Sequence, residues 1–427
     1  MARFIIRGGH PVGGEFQPRG NKNAALPMLA ACVLTDQPIT LEQVPRILDV
    51  DHMLQLLESL GVAVQRTGHR VRLCAKGLRT TGLDERLCRK VRGSILLAGP
   101  LAARHGKATV YLPGGDGIGR RRLDTHFAGL KQLGIAADLR TVPFHLTRAR
   151  TFRGAEILLD EASVTATENI LMAAVLAPGH TVLFNAACEP HVQDLGAMLI
   201  QMGAKISGLG TNRLDIQGVS ELGGARCRIS PDYIEIGSFL AAAAATGGAL
   251  TIRDLPDAMT LQVMQRAFSR LGVSWTWGDG VLTLPARQRL HVQQDLGGCI
   301  PKLEDGVWPA IPSDLLSVLL VLATRTSGNI LFFEKLFESR LYFVDRLLEM
   351  GAPLVQCDPH RVLVGGPARL HGQLMTSPDI RAGMALIIAA LCASGTSIIE
   401  QAGMVDRGYE RIDARLRALG ADITRKP

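Results

Sequence analysis

The sequence has no hydrophobic run long enough to cross a membrane and few aromatic side chains. Its longest apolar stretches, 315–323 and 384–393, are well short of the roughly 18 residues that a membrane-spanning helix needs. The first eight residues lack the apolar region and cleavage site of a signal peptide. Aromatic residues make up only 4% of the 427 residues, so nucleic acid bases would find few stacking surfaces. We therefore expect a cytoplasmic protein without a membrane or nucleic-acid partner.

Metal motifs and complete nucleotide motifs are also missing. The eight cysteines include no Cys-x-x-Cys pair and no metal-ligand spacing with histidine, so we expect reduced thiols and no metal. After Gly115 and Gly117, the third glycine of the dinucleotide fingerprint is replaced by Arg120. The spacing from Gly114 to Gly119 fits a phosphate loop, but arginines follow instead of lysine and serine or threonine.

What the sequence does contain is an ordinary globular composition with an excess of positive charge. A hydrophobic content of 47% and a charged content of 20% are typical of a folded protein, and the length predicts about two or three domains. The net charge of +8 favours anionic partners. Because the basic residues are scattered and aromatics are scarce, we expect phosphorylated small molecules as partners rather than nucleic acid.

A helix end that closes on glycine recurs six times along the chain. Amphipathic segments end in Leu-Gly or Met-Gly at Gly61, Gly134, Gly203, Gly272, Gly351 and Gly420. The spacings are 73, 69, 69, 79 and 69 residues. Each glycine lies where a left-handed residue would end a helix, and a short apolar strand follows. The pattern predicts six copies of one structural unit.

Each copy also contains an apolar helix rich in small residues, a strand, and a second hairpin strand after the glycine. Second strands are predicted at 70–74, 144–147, 213–217, 280–284 and 361–364. The sixth copy ends without one, and residues 3–8 resemble it, so we expect the N-terminal strand to complete the last unit. Helices that are apolar all round, such as 239–245, are expected inside each domain.

Six βαβαββ-type units predict an α/β protein with two domains of three units each. One domain would cover residues 21–229, and the other would combine 1–20 with 230–427, because short polar breaks occur near 20–21 and 229–232. An insertion at 293–312 explains the longest spacing, and the sequence assigns it no role. A substrate would be expected between two such similar lobes.

The stretch 111–126 combines glycines, one carboxylate and three arginines. Its glycines permit a loop, mobile over about residues 112–122, whose backbone can approach a ligand closely. Asp116 among the glycines, followed by Arg120–Arg122, is suited to proton transfer on an anionic substrate. A solvated surface loop is the alternative that these residues alone leave open.

Four further basic residues lie at unit boundaries. Lys22, Arg92 and Arg381 lie at or near helix starts, and Arg407 lies in a comparable segment. If these boundaries are equivalent, the four side chains would form a site for a polyanion, since helix N-termini also attract anions. Solvated surface side chains are the alternative.

Two acids besides Asp116 are candidates for chemistry. Asp314 precedes an apolar helix, where simple N-capping is the alternative role. Glu338 lies two residues before Arg340, where a local ion pair is the alternative.

Together these motifs resemble the enolpyruvyl transferases, and the similarity extends from Phe4 to Ile423. The segments that carry it are Gly20–Pro27, Val44–Pro45, Asp49–Asp51, Pro113–Gly115, Ile118–Gly119, Ile311–Asp314, Phe337–Arg340 and Asp406–Arg411. The resemblance implies two lobes, each an inside-out α/β barrel of three repeated units. It implies no cofactor.

The resemblance also implies a reaction and its site. The 3-hydroxyl of UDP-N-acetylglucosamine would add to C2 of phosphoenolpyruvate, and phosphate would then leave, as the first committed step of peptidoglycan precursor synthesis. Asp314 would be the base, Glu338 would steady positive charge at C2, and Asp116 would protonate C3. Phosphoenolpyruvate would be bound by Lys22, Arg121, Arg381 and Arg407, with Lys22 counted among the catalytic residues. The UDP-sugar would be bound by Asn23, Arg92, Asp124, Ser163, Val164, Thr165 and Asp314.

Three positions depart from the family pattern. Asp116 replaces a cysteine that fosfomycin alkylates in many members. A carboxylic acid can still deliver a proton if burial raises its pKa, but it is a poorer target for an epoxide than a thiolate. Arg122 replaces a frequent proline, adds charge, and leaves a different sugar nucleotide open. Leu48 lies where a basic residue is more frequent.

Other acceptors within the family are alternatives. Shikimate 3-phosphate is disfavoured, because residues 91–101 lack the Gly-Asn-x-Gly-Thr segment of that enzyme and Asn23 replaces its serine. Another nucleotide acceptor and a non-catalytic anion-binding or RNA-end-binding relative are left open. The presence of Lys22, Asp314, Arg381 and Arg407 argues against the non-catalytic reading. The sequence does not indicate an oligomeric state.

Overall fold

The computed structural model describes residues 2–427, within which the chain forms 23 strands and 13 α-helices. The strands are β1 (Arg3–Arg7), β2 (Gly14–Phe16), β3 (Ile39–Glu42), β4 (Ala63–Thr67), β5 (Arg70–Cys74), β6 (Lys107–Val110), β7 (Ile135–Asp138), β8 (Phe144–Arg148), β9 (Glu156–Leu158), β10 (His180–Phe184), β11 (Lys205–Ser207), β12 (Arg213–Gln217), β13 (Ala225–Arg228), β14 (Leu250–Arg253), β15 (Thr276–Gly278), β16 (Val281–Leu284), β17 (Lys302–Glu304), β18 (Gly328–Phe333), β19 (Leu354–Asp358), β20 (Arg361–Gly366), β21 (Leu374–Thr376), β22 (Thr396–Glu400) and β23 (Asp422–Lys426).

The helices alternate between buried and surface positions along the chain. The α-helices are α1 (Lys22–Ala30), α2 (Leu48–Leu60), α3 (Glu85–Cys88), α4 (Ala98–His105), α5 (Asp124–Gln132), α6 (Val164–Ala174), α7 (Pro190–Gln201), α8 (Tyr233–Thr246), α9 (Ala258–Ser269), α10 (Ser313–Ala323), α11 (Val344–Glu349), α12 (Ile380–Cys392) and α13 (Ile412–Ala418). Short 3-10 helices cover Ala31–Leu34, Ala75–Gly77, Arg92–Leu97, Leu296–Gly298, Arg340–Phe343 and Ala402–Arg407. Among residues 2–427, no helix is both long and apolar enough to span a membrane.

The chain divides into two compact units. Unit 1 contains the residues up to Arg19, the segment Asp116–Arg120 and Pro231–Pro427, and unit 2 contains Gly20–Gly115 and Arg121–Ser230. The five residues Asp116–Arg120 therefore group with unit 1, whereas the sequence predicts that they belong to the 21–229 domain with their neighbours. The reason is that Asp116 accepts a hydrogen bond from Arg407 and the backbone N–H of Arg120 donates to Glu338.

Three apolar helical segments form the centre of each unit. In unit 1, α8, α10 and α12 pack on one another, and α8 is buried from Tyr233 to Ala245. In unit 2, α4 packs on α6, and the 3-10 helix that precedes α4 packs on α1. Each set belongs to its own hydrophobic cluster of buried residues. Helices that are apolar on every side can only be buried, so the sheets lie outside them and each unit is an inside-out α/β barrel.

The sheets repeat one strand order. Unit 2 has β13-β3-β5-β4, β6-β8-β7 and β11-β12-β10-β9, and unit 1 has β15-β16-β14-β2, β17-β18-β20-β19 and β21-β22-β1-β23. In five sheets a short strand pairs in parallel with the strand that follows the buried helix. In the sheet of β6, a bridge from Gly82 to Thr109 takes this place. Because each short strand comes from the preceding repeat, the three repeats of a unit close into a ring.

The N-terminal strand completes the last repeat, as predicted. Phe4 on β1 pairs antiparallel with Ile399 on β22 and with Arg425 on β23. The five predicted second strands of hairpins are also confirmed as β5, β8, β12, β16 and β20. The inserted segment 293–312 supplies β17, which pairs in parallel with β18.

The six repeated glycines have the backbone conformation that the pattern predicted. Their φ angles are positive, from 77° at Gly272 to 104° at Gly203. Each glycine lies one to three residues after the end of a surface helix. Because only glycine adopts this conformation at little cost, the glycines end the helices and turn the chain into the following hairpin.

Candidate active site

The predicted site residues lie in two kinds of segment that recur in the repeat. The starts of the buried helical segments carry Lys22, Asn23, Arg92, Ser163, Val164, Thr165, Asp314 and Arg381. The segments from a strand to the next surface helix carry Asp116, Arg121, Asp124, Glu338 and Arg407. A strand that runs back along a buried helix ends near the start of that helix. Both kinds of segment therefore lie at the same end of their unit.

The four basic boundaries are not all equivalent, contrary to the prediction. Lys22, Arg92 and Arg381 do lie at the starts of buried helical segments. Arg407 instead ends the 3-10 helix Ala402–Arg407, which follows strand β22. Its counterpart in the repeat is therefore the segment of Arg121, which follows strand β6.

Asp314 accepts hydrogen bonds from two buried arginines. Its Oδ1 accepts from Nη2 of Arg340 at 3.1 Å, and its Oδ2 accepts from Nη2 of Arg381 at 2.8 Å. Neither arginine side chain is more than 4% exposed. The N-cap residue of α10 is Pro312, without a side-chain capping bond, so the capping alternative for Asp314 is wrong. The carboxylate of Asp314 instead pairs with the guanidinium groups of Arg340 and Arg381.

Arg381 and Arg340 still have buried donors without an acceptor. Among the described residues, Nη1 of each arginine has no hydrogen-bond partner. The guanidinium of Arg381 also lies 5.5 Å from the centre of the Tyr409 ring. Nearby, Asp232 is buried, and this burial raises its pKa to about 6. Buried N–H groups without a protein acceptor are suited to an anionic ligand, because leaving them unmatched is costly.

The tip of the glycine-rich loop is tied to unit 1. Oδ1 of Asp116 accepts from Nη1 of Arg407 at 2.7 Å, and the two side chains are 13% and 11% exposed. Oε2 of Glu338 accepts from the backbone N–H of Arg120 at 3.1 Å. These contacts explain why Asp116–Arg120 groups with unit 1. They also show that a freely solvated Asp116 and a local Glu338–Arg340 ion pair, the two alternatives, are both wrong.

In unit 2, the side chains of Lys22 and Arg92 each donate a hydrogen bond to an oxygen atom. Nζ of Lys22 lies 2.9 Å from Oδ2 of Asp49, and Nη2 of Arg92 donates to the carbonyl oxygen of Arg121 at 2.7 Å. Burial, with a smaller effect of the Arg121 charge, lowers the pKa of Arg92 to about 10. Arg92 therefore stays charged at neutral pH, with its Nε buried and without a partner among the described residues.

The start of α6 presents backbone donors. The side chain of Ser163 caps this helix by accepting from the N–H of Ala166, and Val164 and Thr165 form its first turn. N–H groups in the first turn of a helix, with the helix dipole behind them, favour an anion. Asn23 lies in the same way in the first turn of α1.

Arg122 adds less positive charge than the sequence suggested. Its Nε lies 3.3 Å from Oδ2 of Asp124, and its Nη2 lies 2.9 Å from Oδ2 of Asp160. Thr125 also donates to Asp160 at 2.6 Å. Two carboxylates thus balance the guanidinium charge, so the expected gain in local charge is not present.

The chain is similar to known proteins over almost its whole length. The family model of EPSP synthase (3-phosphoshikimate 1-carboxyvinyltransferase) matches residues 6–416. The chain is 51% identical to UDP-N-acetylglucosamine 1-carboxyvinyltransferase of Bradyrhizobium diazoefficiens, covering 100% of this chain and 98% of the relative. It is 50% identical to the protein of the same name from Treponema denticola, covering 100% of both. The chain belongs to the enolpyruvyl transferase family.

Solved structures show the same fold. The enolpyruvyl transferase NikO from Streptomyces tendae matches with a TM-score of 0.87 and 22% identity, covering 100% of this chain and 99% of that one. EPSP synthase from Acinetobacter baumannii matches with a TM-score of 0.75 and 17% identity, covering 100% of both chains. The predicted inside-out α/β barrels are therefore confirmed as the fold of this enolpyruvyl transferase.

Several residues that contact the candidate site residues were missed in the sequence. Asp49 and Asp379 were not selected, although Asp49 binds Lys22 and Asp379 caps α12 through the N–H groups of Arg381 and Ala382. Arg340 was seen only as a partner of Glu338. Superimposing the six repeats would have marked Asp49, because it lies in the first turn of α2, at the start of a surface helix. Among the described residues, no three metal-ligating side chains are grouped for a metal ion.

His126 is another missed residue, and it is neutral. It is 0% exposed, and its Nε2 lies 3.1 Å from Oγ1 of Thr165. Its Nδ1 lies 3.1 Å from Nδ2 of Asn169, an arrangement that puts the ring proton on Nε2. Burial, with a smaller effect of the Arg92 charge, lowers the pKa of His126 to about 3.

We predict that His126 makes the protein sensitive to acid. Its folded pKa lies below the unfolded value, so its contribution to stability is complete above about pH 6.5 and is lost as the pH falls toward 3. Between pH 6 and 4 the free energy of unfolding should fall about 1.4 kcal/mol per pH unit more steeply in wild type than in His126→Gln. Urea unfolding at each pH measures this. Parallel curves would contradict it, and His10→Gln, at an exposed position, is the control.

Proposed function

We propose that the chain transfers the enolpyruvyl group of phosphoenolpyruvate to the 3-hydroxyl of UDP-N-acetylglucosamine and releases phosphate, the first committed step of peptidoglycan precursor synthesis. The observation that carries the proposal is identity of about half, over the whole chain, with relatives named for this activity. The cationic groups of the site supply matching chemistry. Both substrates are anions, and the site is rich in partly or fully buried cations.

Phosphoenolpyruvate is bound by Lys22, Arg121, Arg381 and Arg407. Three of these cations now hold a carboxylate: Asp314 on Arg381, Asp116 on Arg407 and Asp49 on Lys22. The phosphate and carboxylate of the substrate have the same preference for guanidinium and ammonium groups. The substrate therefore competes with the side-chain carboxylates for these cations.

The addition step uses Asp314 and Asp116 in opposite roles. Asp314 accepts the proton of the 3-hydroxyl while the sugar oxygen forms a bond to C2, and Asp116 delivers a proton to C3. When the substrate takes the place of these carboxylates on Arg381 and Arg407, both carboxyl groups lose a cationic partner. Asp314 is then free to accept the hydroxyl proton, and Asp116 is free to deliver a proton to C3.

The elimination step reverses the proton transfer at C3. The proton on C3 returns to Asp116, the C2–O bond to phosphate breaks, and the double bond forms again in the product, while the proton that Asp314 accepted leaves with the phosphate. Lys22 and the arginines stabilise the negative charge on the departing phosphate, and Glu338 stabilises positive character at C2.

The proposed ligands of the UDP-sugar are basic, polar and backbone groups, together with Asp314. Its diphosphate is suited to Arg92 and to the first turn of α6, where Ser163, Val164 and Thr165 lie. Asn23 and Asp124 offer polar groups for the sugar and the nucleotide. The neutral His126 keeps Thr165 in place through its hydrogen bond.

The experiment that tests the function compares acceptors. We predict phosphate release from phosphoenolpyruvate with UDP-N-acetylglucosamine and at least a hundredfold lower kcat/KM with UMP or shikimate 3-phosphate. We expect this preference because the relatives named for the UDP-N-acetylglucosamine reaction are 51% and 50% identical to the chain, whereas the EPSP synthase structure is only 17% identical. Preference for either alternative acceptor would overturn the proposal. So would release with none of them, because it would favour a non-catalytic relative.

We also predict intrinsic resistance to fosfomycin. A carboxylate is a much weaker nucleophile toward the epoxide than a thiolate, so the wild type should keep its activity during incubation with stoichiometric drug. Asp116→Cys should lose activity over time and gain one covalent adduct at residue 116 by mass spectrometry. The eight natural cysteines serve as internal controls in the same digest. Time-dependent inactivation of the wild type would contradict the prediction.

A further inference from the structure

The outer face of the first sheet of unit 2 is rich in arginine. This sheet has the strand order β13-β3-β5-β4. On β5, Arg70 and Arg72 are exposed, whereas Val71 between them is buried. On β13, Arg226 and Arg228 are exposed as well. Because successive side chains of a strand point to opposite faces of the sheet, each pair of arginines lies on the solvent-facing side. We call this surface, formed by Arg70, Arg72, Arg226 and Arg228, the arginine face.

The register of the strands fixes the spacing of the arginine face. Arg226 lies opposite Thr40 on β3, and Thr40 lies opposite Arg72 on β5. The Cα atoms of Arg226 and Arg72 are therefore two strands apart, or about 10 Å. Within β5 and within β13, the two arginines are two residues apart, or about 7 Å. The four guanidinium groups thus project from the corners of a small rectangle.

One acid lies within the arginine face. Oε1 of Glu42 on β3 accepts from Nε of Arg226 at 3.1 Å and from Nη2 of the same arginine at 2.7 Å. This hydrogen bonding to Arg226, with smaller effects of the charges on Arg70 and Arg228, holds the pKa of Glu42 below its usual value. Glu42 is therefore ionised at neutral pH and balances one of the four arginines. The face keeps an excess of positive charge.

Arg72 has uncharged neighbours on both adjacent strands. They are Thr40 on β3 and Gln65 on β4. The repeated fold does not require this arrangement, because β12 takes the place of β5 in the third repeat and carries a balanced pair. There, Nε of Arg213 lies 3.0 Å from Oδ2 of Asp215. Neighbouring like charges repel each other, so an excess of arginine on one sheet favours an anionic partner.

The side chains around the arginines distinguish between classes of anionic partner. Those opposite Arg72 and Arg70 are Thr40, Gln65 and Thr67. All three are polar and none is aromatic, so nucleic acid bases find no stacking surface and a membrane receives no apolar side chain. An extended acidic peptide fits better, because its alternate carboxylates lie on one side about 7 Å apart, the spacing of the arginines along a strand. Each guanidinium can bind a carboxylate through two parallel hydrogen bonds.

We propose that the arginine face is a docking surface for an extended acidic segment of a partner protein. None of its four arginines is a candidate active-site residue, and the sheet lies outside the buried helices whose starts carry the candidate site. The inference therefore does not depend on the proposed function. Because the arginines are exposed, the contact is weak and salt-dependent, as is typical of a transient interaction.

Binding of a model peptide tests the proposal. The probe is a fluorescein-labelled peptide of alternating glutamate and threonine, measured by fluorescence anisotropy at low salt. We expect saturable binding to the wild type and a Kd about tenfold higher for the double variant Arg70→Gln/Arg72→Gln, a loss of about 1.4 kcal/mol that suits two exposed ion pairs. Arg213→Gln, which changes an exposed arginine already paired with Asp215, is the matched control and should change the Kd less than about twofold. The same peptide with glutamine in place of glutamate should not bind.

Several results would overturn the proposal. One is the absence of saturable binding to the wild type, and another is an equal Kd for the wild type and the double variant. Tighter binding of a single-stranded oligo-dT, or of phosphatidylcholine vesicles with roughly a third phosphatidylglycerol, through the same arginines would also overturn it, because the face would then serve another class of partner.

A measurement on the wild type alone keeps the proposal testable if the double variant does not fold. Phenylglyoxal modifies exposed arginines, and mass spectrometry of a digest reports each position. The acidic peptide should protect Arg70 and Arg72 from modification and leave Arg213 unprotected. Equal protection at all three positions would refute the docking surface. Because both readouts measure binding, a wild type that releases no phosphate would refute the proposed function and leave this result unchanged.

Discussion

The pairing of partly or fully buried cations with carboxylates is the constraint on which the site depends. A site for an anionic substrate needs several cations in little water, and unpaired charges are costly there. In the structure four of these cations meet an acid: Arg381 and Arg340 meet Asp314, Arg407 meets Asp116, and Lys22 meets Asp49. The same acids include the proposed base and the proposed proton donor. In the proposed mechanism, Asp314 and Asp116 therefore serve both as counter-ions and as catalytic groups.

The repeated fold explains where these side chains lie. Each repeat brings the start of a buried helix and the end of the following strand to one end of its unit, so two segments per repeat are available for chemistry. The repeats share a backbone fold but have different residue types at equivalent positions. The proposed function depends on these differences. At the starts of the buried helices, Lys22 holds an acid, Ser163 caps a helix, and Asp314 binds two arginines.

The sequence predicted the fold better than the site because fold signals are local. A glycine with positive φ after an amphipathic helix can be recognised from a few neighbouring residues, and six such helix ends define the repeat. Ion-pair partners have no comparable local sequence pattern. Asp116 lies 291 residues from Arg407, and Asp314 lies 67 residues from Arg381. Even Arg340, only two residues from Glu338, binds Asp314 instead, because the alternative partner is known only once the chain is folded.

Binding of phosphoenolpyruvate to Asp116→Asn tests the central claim most directly. Titration calorimetry in the presence of UDP-N-acetylglucosamine compares the variant with wild type, and phosphate release gives turnover. If Asp116 competes with the substrate for Arg407 and also donates the proton, the variant should bind phosphoenolpyruvate roughly tenfold more tightly, a difference of about 1.4 kcal/mol. Its kcat should fall at least about a hundredfold. Unchanged or weaker binding, or unchanged turnover, would contradict the account.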